Sequence, residues 1–110
     1  MAQGSPEDPC PDSQNQTQLD RCWSRIATDA EHRLNETYTK TLARLQLRKA
    51  SGAATLLRRA QVKWEAYRTA QCDAVGKLYG GGSMESMQRD GCRSSLAEQR
   101  IQTLGSMSPE

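Results

Sequence analysis

The chain has 110 residues, of which 35% are hydrophobic and 5% aromatic, with no Phe. The hydrophobic share is below the usual value of about 45–50%, and the mean hydropathy is −0.82. No stretch of this sequence approaches the roughly 20 consecutive apolar residues that a membrane-spanning helix requires. A chain of this length and composition forms one domain at most, with a small core and no large buried catalytic cavity.

The net charge of +2 is unevenly distributed. Residues 1–36 carry −4, residues 37–77 carry +7, and residues 78–110 carry −1. A basic run without acidic residues could bind an anionic glycan or lipid; it consists of Lys40, Arg44, Arg48, Lys49, Arg58, Arg59 and Lys63. No aromatic residues are interspersed in this basic run, whereas proteins that bind single-stranded nucleic acid use such residues to stack on the bases. We therefore expect a solvated helix face and no nucleic-acid partner.

The four cysteines predict two disulfides. Cys10, Cys22, Cys72 and Cys92 form no Cys-x-x-Cys motif, and His32 is the only histidine. Zinc and redox sites are therefore disfavoured, and we expect no metal and no cofactor. Disulfides in so small a domain indicate an oxidising compartment, periplasmic or secreted. No signal peptide is visible in residues 1–9, so an exported protein would be represented here by its mature form.

The first predicted helix begins near Ser13. Ser13 and Gln16 have the spacing of a capping box. Apolar residues then follow at steps of three or four over about 30 residues, up to the break predicted at Ser51-Gly52: Leu19, Trp23, Ile26, Ala30, Leu34, Tyr38, Leu42 and Leu45.

The second predicted helix runs from about Ala53 to Leu78 and has two recognisable faces. The face expected to be the core contains Leu57, Ala60, Trp64, Tyr67, Ala74 and Leu78. A neighbouring face contains Gln61, Trp64, Arg68, Cys72 and Val75. On that face, Arg68 is expected to stack on Trp64 or to bind a buried carboxylate.

The third predicted helix follows Gly80-Gly81-Gly82, with Ser83 as its N-cap and Gly105 at its end. No β-alternation occurs, so the sequence predicts an all-α three-helix bundle. We expect an extended segment over residues 1–11, a single domain over residues 12–104 and a tail over residues 105–110.

The hairpin geometry favours one disulfide pairing. Cys72 and Cys92 lie at similar distances from the glycine turn, so a hairpin of the second and third helices would bring them together. Cys10 would then fold back onto Cys22. The other two pairings of four cysteines remain open at this point.

Candidate chemistry is sparse. The stretch Tyr79–Ser83 lacks the spacing of a phosphate-binding loop and is better interpreted as a protruding recognition loop, with Tyr79 as its anchor. His32 has no Ser or Cys nucleophile at helical spacing, and Glu31 and Glu36 do not share a face as a glycosidase pair would. We therefore expect no enzymatic activity.

A set of motifs recurs along the chain at characteristic spacings: Leu34, Asn35 and Tyr38; Gln61, Trp64, Arg68 and Cys72; Gly81, Gly82 and Ser83; Cys92; and Arg100 with Leu104. These motifs resemble those of the LprI-like lysozyme-inhibitor family of secreted bacterial helical domains, over roughly Cys10 to Leu104. One minor departure is Tyr67, which precedes Arg68 at a position where several aromatics occur.

This resemblance implies an exported, disulfide-bonded helical protein whose partner is a lysozyme. An inhibitor must fill a cleft that holds two carboxylates, and the loop from Tyr79 to Ser83, with Lys77 nearby, suits that task. The positive net charge opposes steering toward cationic animal lysozymes, although residues 1–36 could offset it locally. The alternative is a cell-envelope scaffold whose basic face from Lys40 to Lys63 binds anionic glycan or lipid. The motif residues Leu34, Asn35, Tyr38, Gln61, Trp64, Arg68 and Arg100 are expected to be structural.

Overall fold

The computed structural model describes residues 8–107 and contains three helices: α1 (Gln16–Leu47), α2 (Ser51–Lys77) and α3 (Ser83–Ser106). The predicted all-α class with three helices is confirmed. The expected segment 1–11 and tail 105–110 fall partly outside the described residues. No helix within residues 8–107 is long and apolar enough to cross a membrane.

The core lies where all three helices meet. The third helix packs most extensively against α1 and less against α2, while α1 and α2 share the smallest interface. Thr41 is also buried, and its hydroxyl donates a hydrogen bond to the carbonyl oxygen of Leu104 at 3.3 Å. The buried hydrophobic residues of the core are Ala30, Leu34, Leu45, Ala54, Leu57, Ala97 and Leu104.

Both predicted disulfides are confirmed. Cys10 pairs with Cys22, with their Cα atoms 6.0 Å apart, and ties the N-terminal segment to α1. Cys72 pairs with Cys92, with a Cα separation of 5.4 Å, and ties α2 to α3. In the chain-entropy model, a disulfide that closes a loop of this length stabilises a fold by about 3 kcal/mol.

The helix ends differ from the prediction by one to three residues. Asn15, not Ser13, caps α1: its side chain accepts a hydrogen bond from the backbone N–H of Gln18 at 2.9 Å. Ser51 and Gly52 lie inside α2, and the break falls at residues 48–50, where Lys49 has a φ of 58°. Gly82 occupies the N-cap of α3, so Ser83 is its first residue. Gly52 does not interrupt a helix, because the chain has already turned at residues 48–50 and a single glycine is only a weak stop signal.

The core face predicted for α2 is largely wrong. Ala60, Tyr67, Ala74 and Leu78 are exposed. The neighbouring face is the buried one, with Gln61, Arg68 and Cys72 inside. The disulfide to Cys92 and an ion pair between Arg68 and α1 fix the rotation of α2 about its axis. These two links turn the polar motif face inward and leave the apolar residues beside it in solvent.

Candidate functional site

The predicted glycine loop (Tyr79–Ser83) joins α2 to α3 through a closely hydrogen-bonded turn. The N–H groups of Tyr79 and Gly80 donate to the carbonyls of Gly76 and Lys77 at 3.0 and 3.1 Å. Gly80 and Gly81 adopt φ values of 68° and 80°, a conformation that residues with a side chain rarely adopt. The loop therefore has a defined shape that requires glycine at these two positions.

The tip of this turn is exposed and partly apolar. Leu78 is 80% exposed, Tyr79 43% and Met84 42%. No side chain caps the N-terminus of α3. The first N–H groups of the helix, including those of Ser83 and Met84, therefore face outward beside the tip, at the positive end of the helix dipole.

The stem below the loop is tightly closed. Cys72 is fully buried in its disulfide to Cys92. One turn further along α2, Gly76 is also buried, and a Cβ atom there would lie 3.2 Å from Nη2 of Arg89 and 3.3 Å from the carbonyl oxygen of Glu85. Glycine therefore permits the close approach of α2 and α3 at this level.

Ion pairs complete the stem. Arg89 bonds to the Glu85 carboxylate and, through Nε, lies 3.2 Å from Oδ1 of Asp73 on α2. Nζ of Lys77 lies 3.5 Å from Oε2 of Glu85. Burial alone would raise the pKa of Glu85, but Lys77 and Arg89 outweigh it and hold that pKa below its ordinary value. Glu85 therefore stays ionised and links the two sides of the stem.

A shallow depression lies at the base of the loop, with a volume of about 380 Å³. It is lined by Lys77, Gly81, Gly82, Glu85, Ser86 and Arg89. Oε1 of Glu85 is buried at this depression and has no hydrogen-bond partner within residues 8–107.

The motif residue Arg68 lies between the helices. Its side chain is 5% exposed, and its Nη1 is 2.6 Å from Oε1 of Glu31 on α1. Its guanidinium also lies over the Trp64 ring, 4.8 Å from the centroid. The prediction that Arg68 stacks on Trp64 is confirmed. Arg68 also reaches a carboxylate, but Glu31 is 35% exposed and not buried as predicted.

A second arginine approaches the same ring from α3. The guanidinium of Arg100 is 5.7 Å from the Trp64 centroid, and its Nε donates to Oε1 of Gln61 at 2.9 Å. Burial lowers the pKa of Arg100, and Tyr38 partly offsets that effect. The Trp64 indole therefore contacts Arg68 from α2 and Arg100 from α3. The buried Gln61 holds Arg100 in place.

The remaining motif residues divide between core and surface. Leu34 is fully buried, Tyr38 packs at the edge of the core, and Asn35 is exposed. Glu31 was not predicted as the partner of Arg68. The sequence signal that could have identified Glu31 is its position on the buried stripe of α1, next to Ala30 and one turn before Leu34.

A second concave surface lies between α1 and α3, with a volume of about 360 Å³. His32 lines it and is exposed. The Thr28 hydroxyl donates to the carbonyl of Ser24 at 2.9 Å. Burial raises the pKa of Asp90, which lines this groove, and the positive charge of Arg93 offsets part of that rise. The lining residues are Ser24, Ala27, Thr28, Glu31, His32, Asn35, Asp90 and Arg93.

The predicted basic run lies around the connection between α1 and α2, and all seven of its residues are exposed. Arg48 and Lys49 follow the C-terminus of α1, where positive charge is favourable. At 1.5 Å per residue along α2, Arg58 lies about 32 Å and Lys63 about 24 Å from Tyr79 of the glycine loop.

The described residues thus define a class: a disulfide-bonded three-helix domain with one stiff, exposed loop. The family model described as "Lysozyme inhibitor LprI" matches residues 8–104, and the chain belongs to this family. An uncharacterized protein of Rhizobium meliloti (strain 1021) is 32% identical over 108 residues, covering 90% of this chain and 78% of that protein. No solved structure matches the chain.

Removal of the Arg68 partner tests the interior of this arrangement. We expect Glu31→Ala to lower the free energy of unfolding by about 1–3 kcal/mol, because it leaves a buried guanidinium without its counter-charge. Glu36→Ala, at an exposed position on the same helix, should change it by less than about 0.5 kcal/mol. Urea unfolding followed by circular dichroism measures both. Equal effects of the two substitutions would contradict the assignment.

The stem should weaken in acid. The pKa of Glu85 in the folded protein lies below its ordinary value of 4.5. Its contribution to stability is therefore complete above that value and is lost as the pH falls through the lower, folded-state pKa. The melting temperature of Glu85→Gln should be below that of the wild type at neutral pH, and the difference should shrink in acid.

Glu65→Gln is the matched control for this titration, since Glu65 is exposed on α2. Because Asp90 titrates in both proteins, its raised pKa cancels in the comparison. A difference between the wild type and Glu85→Gln that stays constant down to about pH 3 would contradict the ion-pair account.

Proposed function

We propose that the protein is an exported, non-catalytic inhibitor of a lysozyme-like cell-wall hydrolase, and that the glycine loop enters the cleft of the hydrolase. The observation that carries this proposal is the exposed tip at Leu78 and Tyr79 on a stem closed by a disulfide. Membership of a family described as lysozyme inhibitors supports the choice of partner.

The rigidity of the loop favours tight binding. A partner that orders a flexible loop loses affinity to the entropy of ordering, whereas a preformed loop avoids that cost. The two left-handed glycines and the turn hydrogen bonds define the loop, and the Cys72–Cys92 disulfide and the Arg89 ion pairs hold its stem.

The chemistry of the tip matches that of a glycosidase cleft. Such a cleft holds two carboxylates. The uncapped N–H groups of Ser83 and Met84 offer donors at the positive end of α3. Lys77 and Arg89 beside them are balanced by the carboxylates of Glu85 and Asp73, so the N–H donors alone favour an acidic cleft.

The groove that holds His32 supports a non-catalytic role. Glu31, the acid beside His32 in the chain, is bound to Arg68. The hydroxyl of Thr28, one turn away, donates to a backbone carbonyl. Neither group is available to activate the imidazole or to be activated by it. Within residues 8–107 no three His, Cys, Asp or Glu side chains are grouped as a metal site would require.

The disulfides support an exported location. All four cysteines are in disulfides, which supports a periplasmic or secreted protein.

The motif face of α2, with Gln61, Trp64 and Arg68, is proposed to have a structural role. Its contacts are made within the bundle.

The alternative is a cell-envelope protein whose basic face binds anionic glycan or lipid. The exposure of the whole run from Lys40 to Lys63 favours this second candidate. The double substitution Arg58→Glu with Arg59→Glu separates the two, because it reverses charge far from the glycine loop.

A cell-wall clearing assay tests the proposal. Titration of c-type, g-type and i-type lysozymes with the oxidised protein should give saturating inhibition of at least one type near equal molar amounts. Tyr79→Ala should weaken that inhibition by about tenfold or more, since truncation of a central interface tyrosine costs about 2 kcal/mol.

Tyr67→Ala is the matched control, because Tyr67 is 53% exposed on α2 and lies away from the loop. It should inhibit as the wild type does. Absence of inhibition for all three lysozymes, or equal loss in both tyrosine variants, would refute the loop mechanism. Salt-sensitive binding to an anionic polymer that is lost in the Arg58/Arg59 double variant would favour the basic face.

A further inference from the structure

Charge is segregated along the bundle. The α1–α2 connection and the C-terminus of α3 lie at the same end, since the hydroxyl of Thr41 bonds to the carbonyl of Leu104. The residues of this half, 37–64 and 99–107, include eight Lys or Arg and no Asp or Glu. The other described residues include seven Lys or Arg and eleven Asp or Glu, a net charge of −4. We call the first half the basic end.

The cations of the basic end are not neutralised within the bundle. In the other half, Arg33, Arg68, Lys77 and Arg89 are all in ion pairs with carboxylates. By contrast, six exposed cations of the basic end form no ion pair within residues 8–107: Lys40, Arg48, Lys49, Arg58, Arg59 and Lys63. Their charge can therefore attract an anionic partner.

Two exposed leucines accompany these cations. Leu47, the last residue of α1, is 82% exposed, and Leu56, in the second turn of α2, is 62% exposed. Each shares a helix face with two basic residues, because positions three, four or seven apart lie on one side of a helix. The two faces consist of Lys40, Arg44 and Leu47 on α1 and of Leu56, Arg59 and Lys63 on α2.

Both faces have the same order along their helices. The leucine lies nearest to the end of the bundle, with one cation about 4.5 Å and the next about 10.5 Å behind it along the helix axis. The headgroup layer of one bilayer leaflet is about 5–7 Å thick. A leucine at the hydrocarbon boundary therefore places one cation within that layer and the next just outside it. Amphipathic segments that bind at a membrane surface have this arrangement.

We propose that the basic end is a docking surface for a bilayer that contains anionic lipids. A soluble anionic glycan would attract the cations, but it has no hydrocarbon in which Leu47 and Leu56 could be buried. The exposed leucines therefore favour the bilayer as the occupant. In the docked molecule, Tyr79 of the glycine loop lies about 34 Å from Leu56 along α2, so the loop stays accessible. This inference rests on the second candidate function, the basic face, and is independent of lysozyme inhibition.

Cosedimentation of the oxidised chain with vesicles tests the surface. The chain should bind vesicles of phosphatidylglycerol and phosphatidylcholine in equal parts, more weakly as salt is raised, and should not bind phosphatidylcholine alone. Arg59→Glu with Lys63→Glu should weaken binding by at least about 25-fold, since each basic residue near an anionic surface contributes about fivefold.

Arg21→Glu with Arg25→Glu is the matched control for charge. It changes the net charge equally, at exposed positions of α1. These positions lie about 33 Å or more from Leu47 along the helix, well beyond the screening length of about 8 Å at physiological salt. This variant should bind the anionic vesicles as the wild type does.

The leucines distinguish a bilayer from a glycan. Leu47→Ala with Leu56→Ala should weaken binding to the anionic vesicles by about tenfold or more, because less apolar surface is buried in the bilayer. The same variant should bind dextran sulfate, a soluble anionic glycan, as the wild type does. Val62→Ala is the matched control, since Val62 is 69% exposed and lies about 120° around α2 from Leu56. Circular dichroism should show unchanged helix content in every variant.

Three results would overturn the proposal: no binding to anionic vesicles, equal effects of the two charge-reversal variants, or a leucine variant that affects both ligands alike. Binding to dextran sulfate without binding to vesicles would remove the lipid and leave the basic face as a glycan-binding surface. Binding to neither ligand would remove both. A negative clearing assay with intact vesicle binding would remove only the inhibitory loop.

Discussion

The buried guanidinium of Arg68 is the constraint on which the rest of the structure depends. A charge that is 95% removed from solvent needs a counter-charge, which Glu31 of α1 provides, and the face of Trp64 adds a cation–π contact. Nε of Arg68 is buried without a hydrogen-bond partner within residues 8–107. The contacts with Glu31 and Trp64, with the Cys72–Cys92 disulfide, fix how α2 is rotated against its neighbours. The direction in which the glycine loop points, and the apolar residues of α2 that remain in solvent, both follow from that rotation.

The same rotation connects the interior to the proposed inhibitory tip. Gly76 lies on the buried face of α2 one turn past Cys72, and the absence of a side chain there lets α3 approach closely. The approach brings Arg89 within reach of Asp73 and Lys77 within reach of Glu85, so the two helices are joined by a covalent bond and by two ion pairs at the level of the loop. A short turn on such a stem has little freedom to move, which is the property that a cleft-filling inhibitor needs.

Much of this fold could be predicted from the sequence, because the signals are local. The helices follow from apolar periodicity, and the favoured disulfide pairing follows from the similar distances of Cys72 and Cys92 from the glycine turn. The buried face of α2 could not be predicted in this way. Apolar periodicity favoured the face with Tyr67 and Leu78, whereas the true inward face contains Gln61 and Arg68, whose burial depends on partners from other helices. The candidate loop was found from its glycines, but its closed stem depends on Gly76, Glu85 and Arg89, whose contacts form only in the folded chain.

The proposed inhibition requires contact between the glycine loop and a lysozyme. Hydrogen–deuterium exchange of the oxidised chain, measured with and without a saturating amount of a lysozyme that the chain inhibits, detects this contact. We expect slower exchange at the backbone amides from Tyr79 to Met84 in the complex, and little change around the α1–α2 connection. Protection confined to the basic residues from Lys40 to Lys63, with none at the loop, would contradict it.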